Sequence, residues 1–203
     1  SSTITKLNAP LTQAFDFQPS SELQITPTLN TLTQRLAGFD TLTSALEYAA
    51  KGITGYNFYD AKGSLRSVLP YSVLRENARV LAKRLFGLNL LRGERVAIIA
   101  DTSPEFIELF FACRYAGLIP FAMPVPVNLG SHAIYVHQLR GMLESGQASI
   151  ALANIDYVGF LKEAAEHVES LQWVGTPAEL GEFPIKDVGF QDNHPSETAY
   201  LQF

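Results

Sequence analysis

One cysteine, Cys113, is all the sequence has, and a single thiol excludes an internal disulfide framework. A reducing compartment, and so a cytoplasmic protein, is the natural setting. Cys113 sits inside the apolar run "ELFFACRYAG" with no histidine or aspartate close by. It reads as a small buried hydrophobe, not as a nucleophile. No hydrophobic run is long enough for a membrane span, and the first residues, "SSTITKLNAP", lack the apolar stretch of a secretory signal. Positive charge is not in excess either. A formal net charge of −5 argues against a general nucleic-acid binder, which needs a basic stripe for phosphates. It does not exclude a nucleotide held by backbone N–H groups.

The common catalytic signatures are absent as well. No GxGxxG follows a strand, and there is no GxxxxGK[ST], HExxH or CxxC. A dehydrogenase is poorly supported, because "IIADTSPEF" continues its strand without glycines to admit a pyrophosphate. His132, His137, His167 and His194 are scattered, and the first two stand five apart, not the four that would put two ligands on one helix face. They read as surface residues, and no metal site is expected. Asp101-Thr102-Ser103-Pro104-Glu105 is accounted for by helix capping. Glu163, Glu166 and Glu169 read as a solvated face.

What the sequence does hold is alternation. Residues 1–38 are rich in Ser, Thr, Gln and Pro and read as an extended N-terminal arm. The body, 39–203, starts with a helix in "TLTSALEYAAKG" capped by Asp40 or Thr41 and stopped by Gly52. A hairpin then turns at Asp60-Ala61-Lys62-Gly63. After Pro70, Leu74, Ala78, Leu81, Ala82 and Leu85 repeat at helical spacing, with Gly87 as terminator. Strands follow at "RVAIIA", "LIPFAM", "ASIALA" and "LQWVG". Helices fall between them, over "EFIELFFACRYAG", about 131–146 and "DYVGFLKEAAEHV". Pro120 makes the second strand edge-like. Residues 176–197 are polar and turn-rich before a terminal strand, "TAYLQF". This order predicts an α/β fold: a mainly parallel sheet flanked by helices on both faces. A stiff loop, Pro124-Val125-Pro126-Val127-Asn128-Leu129-Gly130, follows a strand end, where open α/β sheets gather ligands. From the residues alone, a plain structural turn is the simpler reading.

These stretches resemble the adenylate-forming ligases, most of all the fatty acyl-AMP ligases. "YSVLRENARVLAKRL" resembles the family's first core motif. "RVAIIADTSPEFIELFFACRYAGLIPFAMPVPVN" resembles the second, and "NFYDAKGSLRSVLPY" the hairpin before them. The most specific part is Tyr115-Ala116-Gly117. The resemblance implies the first subdomain of the ligase N-terminal domain, in which a strand like "AYLQF" runs into a Ser/Thr/Gly-rich loop around the ATP phosphates. That loop would begin just after Phe203, so the chain is expected to be an N-terminal piece, inactive alone.

The intact protein is expected to adenylate a fatty acid with ATP and Mg2+ and to pass it to an acyl carrier protein. Its partners would then be the fatty acid, the carrier and the remaining domains of the same protein. No catalytic, cofactor-binding or metal-binding residue of the family falls on this chain. The resemblance leaves one candidate role. Pro124, Val125, Pro126 and Val127 would border the pantetheine entrance, where related CoA-using synthetases carry glycines. Two alternatives stand beside this: part of a fatty acyl-CoA synthetase, or a non-catalytic α/β binding or interaction module.

Overall fold

A computed structural model describes residues 32–33, 38–126 and 131–202. Most of the expected arm therefore lies outside the described residues, as do Val127 and Phe203. Helix α1, Leu42–Ala49, starts at Thr41, whose hydroxyl accepts from the Ser44 amide while Ser44 answers with a reciprocal bond, a capping box. Strands β1, Gly55–Tyr59, and β2, Leu65–Pro70, form the expected antiparallel hairpin. Asp60 accepts from the amides of Lys62 at 2.8 Å and Ser64 at 2.9 Å, and Gly63 takes φ +80 to close the turn.

Helix α2, Tyr71–Leu85, buries Leu74, Ala78, Ala82 and Leu85 as its periodicity requires. Gly87 does not terminate it. The helix tightens into a 3₁₀ turn over Phe86–Leu88, and the chain reverses at Asn89 with φ 55. Asparagine tolerates that left-handed conformation. Gly87 instead makes room for another segment: a Cβ there would stand 3.2 Å from the Pro184 carbonyl oxygen.

The remaining elements build one layered unit. They are β3 (Arg95–Ile99), α3 (Pro104–Tyr115), β4 (Ile119–Met123), α4 (His132–Ser145), β5 (Ala148–Leu152), α5 (Val158–Ala165), β6 (Trp173–Gly175) and α6 (Pro177–Leu180). The four strands lie in the order β4-β3-β5-β6, and every pairing is parallel. Alternation along β3 divides the core. Val96 and Ile98 join α2 and α3 on one face, while Ala97 and Ile99 join α4 and α5 on the other. The α/β sheet with helices on both faces is therefore the observed architecture.

Three further expectations need correction. The stretch 176–197 contains α6, opened by a capping box between Thr176 and Glu179. The terminal strand is also shorter than expected. Among its described residues only Leu201 pairs, through a single parallel bridge to Phe121 in which its amide donates to the Pro120 carbonyl at 3.1 Å. The N–H and C=O of one strand residue point the same way, so the donor that proline lacks falls on this outer edge and the ladder cannot continue there. Helix α5 also stops early, because Glu166 leaves helical geometry at ψ 125 and His167 turns at φ 67.

Candidate functional site

In an open parallel sheet the ligand crevice lies at the carboxyl ends of strands whose connections leave in opposite directions. Here β3 runs through α3 to β4, and β5 runs through α5 to β6 on the other side. The switch point is the gap between β3 and β5. Asp101 and Asn154 meet across it, the Asn154 amide donating to the Asp101 carboxylate. Ser103 donates to the same carboxylate and accepts from the Phe106 amide at 3.3 Å, capping α3. Asn154 also accepts from the Asp156 amide at 2.9 Å. The start of α3 is thus capped by the Ser103 hydroxyl, which Asp101 holds in place.

Next to this polar tie, at the ends of β3 and β4, lies an apolar cleft of about 500 Å³. Its lining includes Ala100, Phe110, Met123, Pro124, Met142 and Tyr200. Of the four loop residues singled out from sequence, only Pro124 borders this cleft, and its carbonyl accepts from the Tyr135 hydroxyl at 2.8 Å. Val125 packs instead into the core under α4 and α5. Pro126 is half-buried, and Val127 lies outside the described residues.

A second, larger cleft of about 700 Å³ opens beside α1. Its Glu47 is matched by neighbouring groups. Glu47 accepts from Arg75 at 2.7 Å, from Arg79 at 3.3 Å and from the Tyr115 hydroxyl at 2.7 Å. The Arg79 guanidinium lies 4.6 Å from the centre of the Phe190 ring. Burial pushes the Glu47 carboxyl up, but the bonds from Arg75 and Tyr115 outweigh it and leave it below the usual range. Burial, with Glu47 adjacent, raises the Tyr115 phenol. The tyrosine of the Tyr-Ala-Gly motif thus ties α3 to α1 and α2.

Its glycine holds a different contact. Gly117 has φ +73, and a Cβ there would meet Arg92 Nη1 at 2.4 Å. Arg92 crosses this glycine to reach Glu197 with two bonds, of 3.0 and 2.7 Å. The composition and motif reading gave no signal for this arginine, which stands in a turn and belongs to no motif.

Cys113 is fully buried and burial pushes its thiol up to about 12, as suits a core residue. All four histidines are exposed, as are Glu163, Glu166 and Glu169; His132 bonds to Glu163. Among the described residues no three His, Cys, Asp or Glu side chains gather as metal ligands, and no helix is long and apolar enough to cross a membrane.

Comparison with known proteins gives this architecture a family. The family model described as AMP-binding enzyme matches residues 60–203. A protein of Caulobacter vibrioides with an ascribed acyl-CoA synthetase activity is 38% identical over 185 residues, which is 90% of this chain and 32% of that protein. The medium-chain-fatty-acid–[acyl-carrier-protein] ligase JamA of Moorena producens is 29% identical over 81% of this chain and 28% of its own. A solved structure from a study of fatty acyl-adenylate ligases of E. coli and L. pneumophila superposes with a TM-score of 0.79. It is 38% identical and covers 83% of this chain and 30% of its own. The chain thus spans about a third of the length of the relatives it matches. With its parallel sheet, its hairpin and its Tyr-Ala-Gly turn, the chain belongs to the AMP-binding enzymes, the adenylate-forming ligases.

Proposed function

We propose that this chain is the opening part of an enzyme that adenylates a fatty acid with ATP and Mg2+ and hands it to an acyl carrier protein. One observation carries the reading: 38% identity with a TM-score of 0.79 to a structure from the fatty acyl-adenylate ligase study. JamA, named for transfer to a carrier protein, supports the acceptor. The division into an arm, 1–38, and an α/β body, 39–203, belongs to the same proposal, as does a cytoplasmic location.

The residues described here do not themselves fit a nucleotide–metal site. They gather no three metal-ligating side chains, and the sequence holds no glycine-rich phosphate loop. The role left to them is scaffolding: a sheet whose carboxyl edge presents an apolar cleft with Pro124 in its wall. Pro124, Val125, Pro126 and Val127 would border the pantetheine entrance, where fixed backbone favours a carrier-bound arm over free CoA.

The Caulobacter relative favours a second reading, in which the acceptor thiol is CoA. One assay separates the two. The protein in its natural length is incubated with ATP, Mg2+ and fatty acids, pyrophosphate is measured, and holo acyl carrier protein or CoA is then added. Pyrophosphate release with acyl transfer to the carrier alone is expected; transfer to CoA establishes the second reading, and no release overturns both. Replacing Pro124, Val125 and Pro126 by glycine should raise acyl-CoA formation, and no gain removes the entrance role. The 203-residue chain alone should release no pyrophosphate above background.

A further inference from the structure

We propose that Arg92, Arg114 and Asn193 are positioning residues that seat segment 192–202 on the open edge of β4 and thereby set one wall of the carboxyl-end cleft. The segment needs such help. It forms no regular helix or strand, and its only ladder contact is the Leu201–Pro120 bond. Its side-chain ties are numerous and converge.

The Arg92 guanidinium grips both oxygens of Glu197 and reaches the Asp192 carbonyl and Asn193 Oδ1, each at 3.2 Å. A planar fork is the group suited to hold a carboxylate twice while bonding two further oxygens. Asn193, itself nearly buried, donates to the Arg114 carbonyl at 3.0 Å and to Thr43 Oγ1 at 3.1 Å. Its one side chain locks the segment to α3 and α1 together.

Arg114 is the least expected of the three. It is only 4% exposed, and no carboxylate forms an ion pair with it among the described residues. Removing a guanidinium from water is costly, and a leucine would fill the space without that cost. A leucine could not donate to the Leu118 carbonyl at 2.8 Å and the Thr198 carbonyl at 3.1 Å at once. Those two oxygens belong to the start of β4's approach and to the arriving segment. Three residues past Thr198, Leu201 meets Phe121, and Tyr200 lies 5.8 Å from the Phe110 ring at the cleft. The clamp therefore fixes where Tyr200 and Leu201 stand.

The catalytic consequence rests on the adenylation reading, but the clamp itself does not. The test uses the natural-length protein with R92K, R92Q and E197Q, the last touching no buried group. Hydrogen exchange of a peptide spanning 192–202 is followed alongside the KM for each substrate. R92Q and E197Q should lower protection of that peptide about tenfold, with R92K intermediate, while β3 and β5 stay protected. A ligand that binds only the seated form weakens by the fraction lost. The KM of whichever substrate meets this wall should rise by the same factor, with the other KM unchanged. Unchanged protection in 192–202 overturns the clamp, as does a uniform loss across the molecule. Lost protection with both KM values unchanged overturns the positioning role. A wild-type protein releasing no pyrophosphate would sink the adenylation reading alone, since the exchange measurement still decides the clamp.

Discussion

At the scale of single residues, the turn glycines separate into two kinds. Gly63 and Gly117 both sit at positive φ, but a Cβ at Gly63 meets nothing while one at Gly117 runs into Arg92. Gly63→Ala should therefore cost only the left-handed backbone term, about 1–2 kcal/mol. Gly117→Ala should cost more in urea unfolding, because Arg92 must also give way; equal losses would show that its passage does not need the glycine. Glu197 is the other telling residue. The Arg92 bond, then the His194 amide, draws its carboxyl down to about 2 from an ordinary 4.5. A lowered folded-state value contributes stability that is full above about 4.5 and lost as pH falls toward about 2. The thermal midpoint should drop across that window, and E197Q should lessen the drop.

At the scale of elements, Glu47 holds three helices together, since its partners Arg75 and Arg79 lie on α2 and Tyr115 on α3. The side chain keeps 37% of its surface exposed, so solvent screens much of its attraction. Glu47→Ala should cost about 1 kcal/mol in urea unfolding, mostly from partners left unmatched, and Glu47→Gln less. A loss within error for both would mean that α1 is held by its other contacts, Leu46 in the core and the Asn193–Thr43 bond. The elements also mark what sequence can tell. The helices on 3.6-residue repeats, the apolar run of β3 and the Ser103-Pro104 start were legible, because period and caps are local properties. The small α6 was legible in principle: "TPAE" is a capping box, obscured by the polar residues around it. Asn89 in place of Gly87 was not, since Gly87 answers to Pro184, far along the chain.

At the scale of the whole molecule, fold class came from strand–helix order, while the candidate site came only in part. Pro124 reaches the cleft as its place after a strand suggested, and Val125 turns into the core because alternation continues past the strand end. The clamp escaped prediction because its parts, Arg92 and Glu197, are about a hundred positions apart. No local pattern links them.

The edge of β4 has a consequence for how the protein is made. Phe121 leaves the ribosome 80 residues ahead of Leu201, the residue that meets it on that side. At roughly 5–20 residues per second, synthesis leaves β4 uncovered for about 4–16 seconds. During that interval the nascent chain carries an unpaired strand edge, open to neighbouring chains on the same message. Pro120 blunts it by withholding an N–H from any intruder. The irregular proline thus doubles as a safeguard during translation.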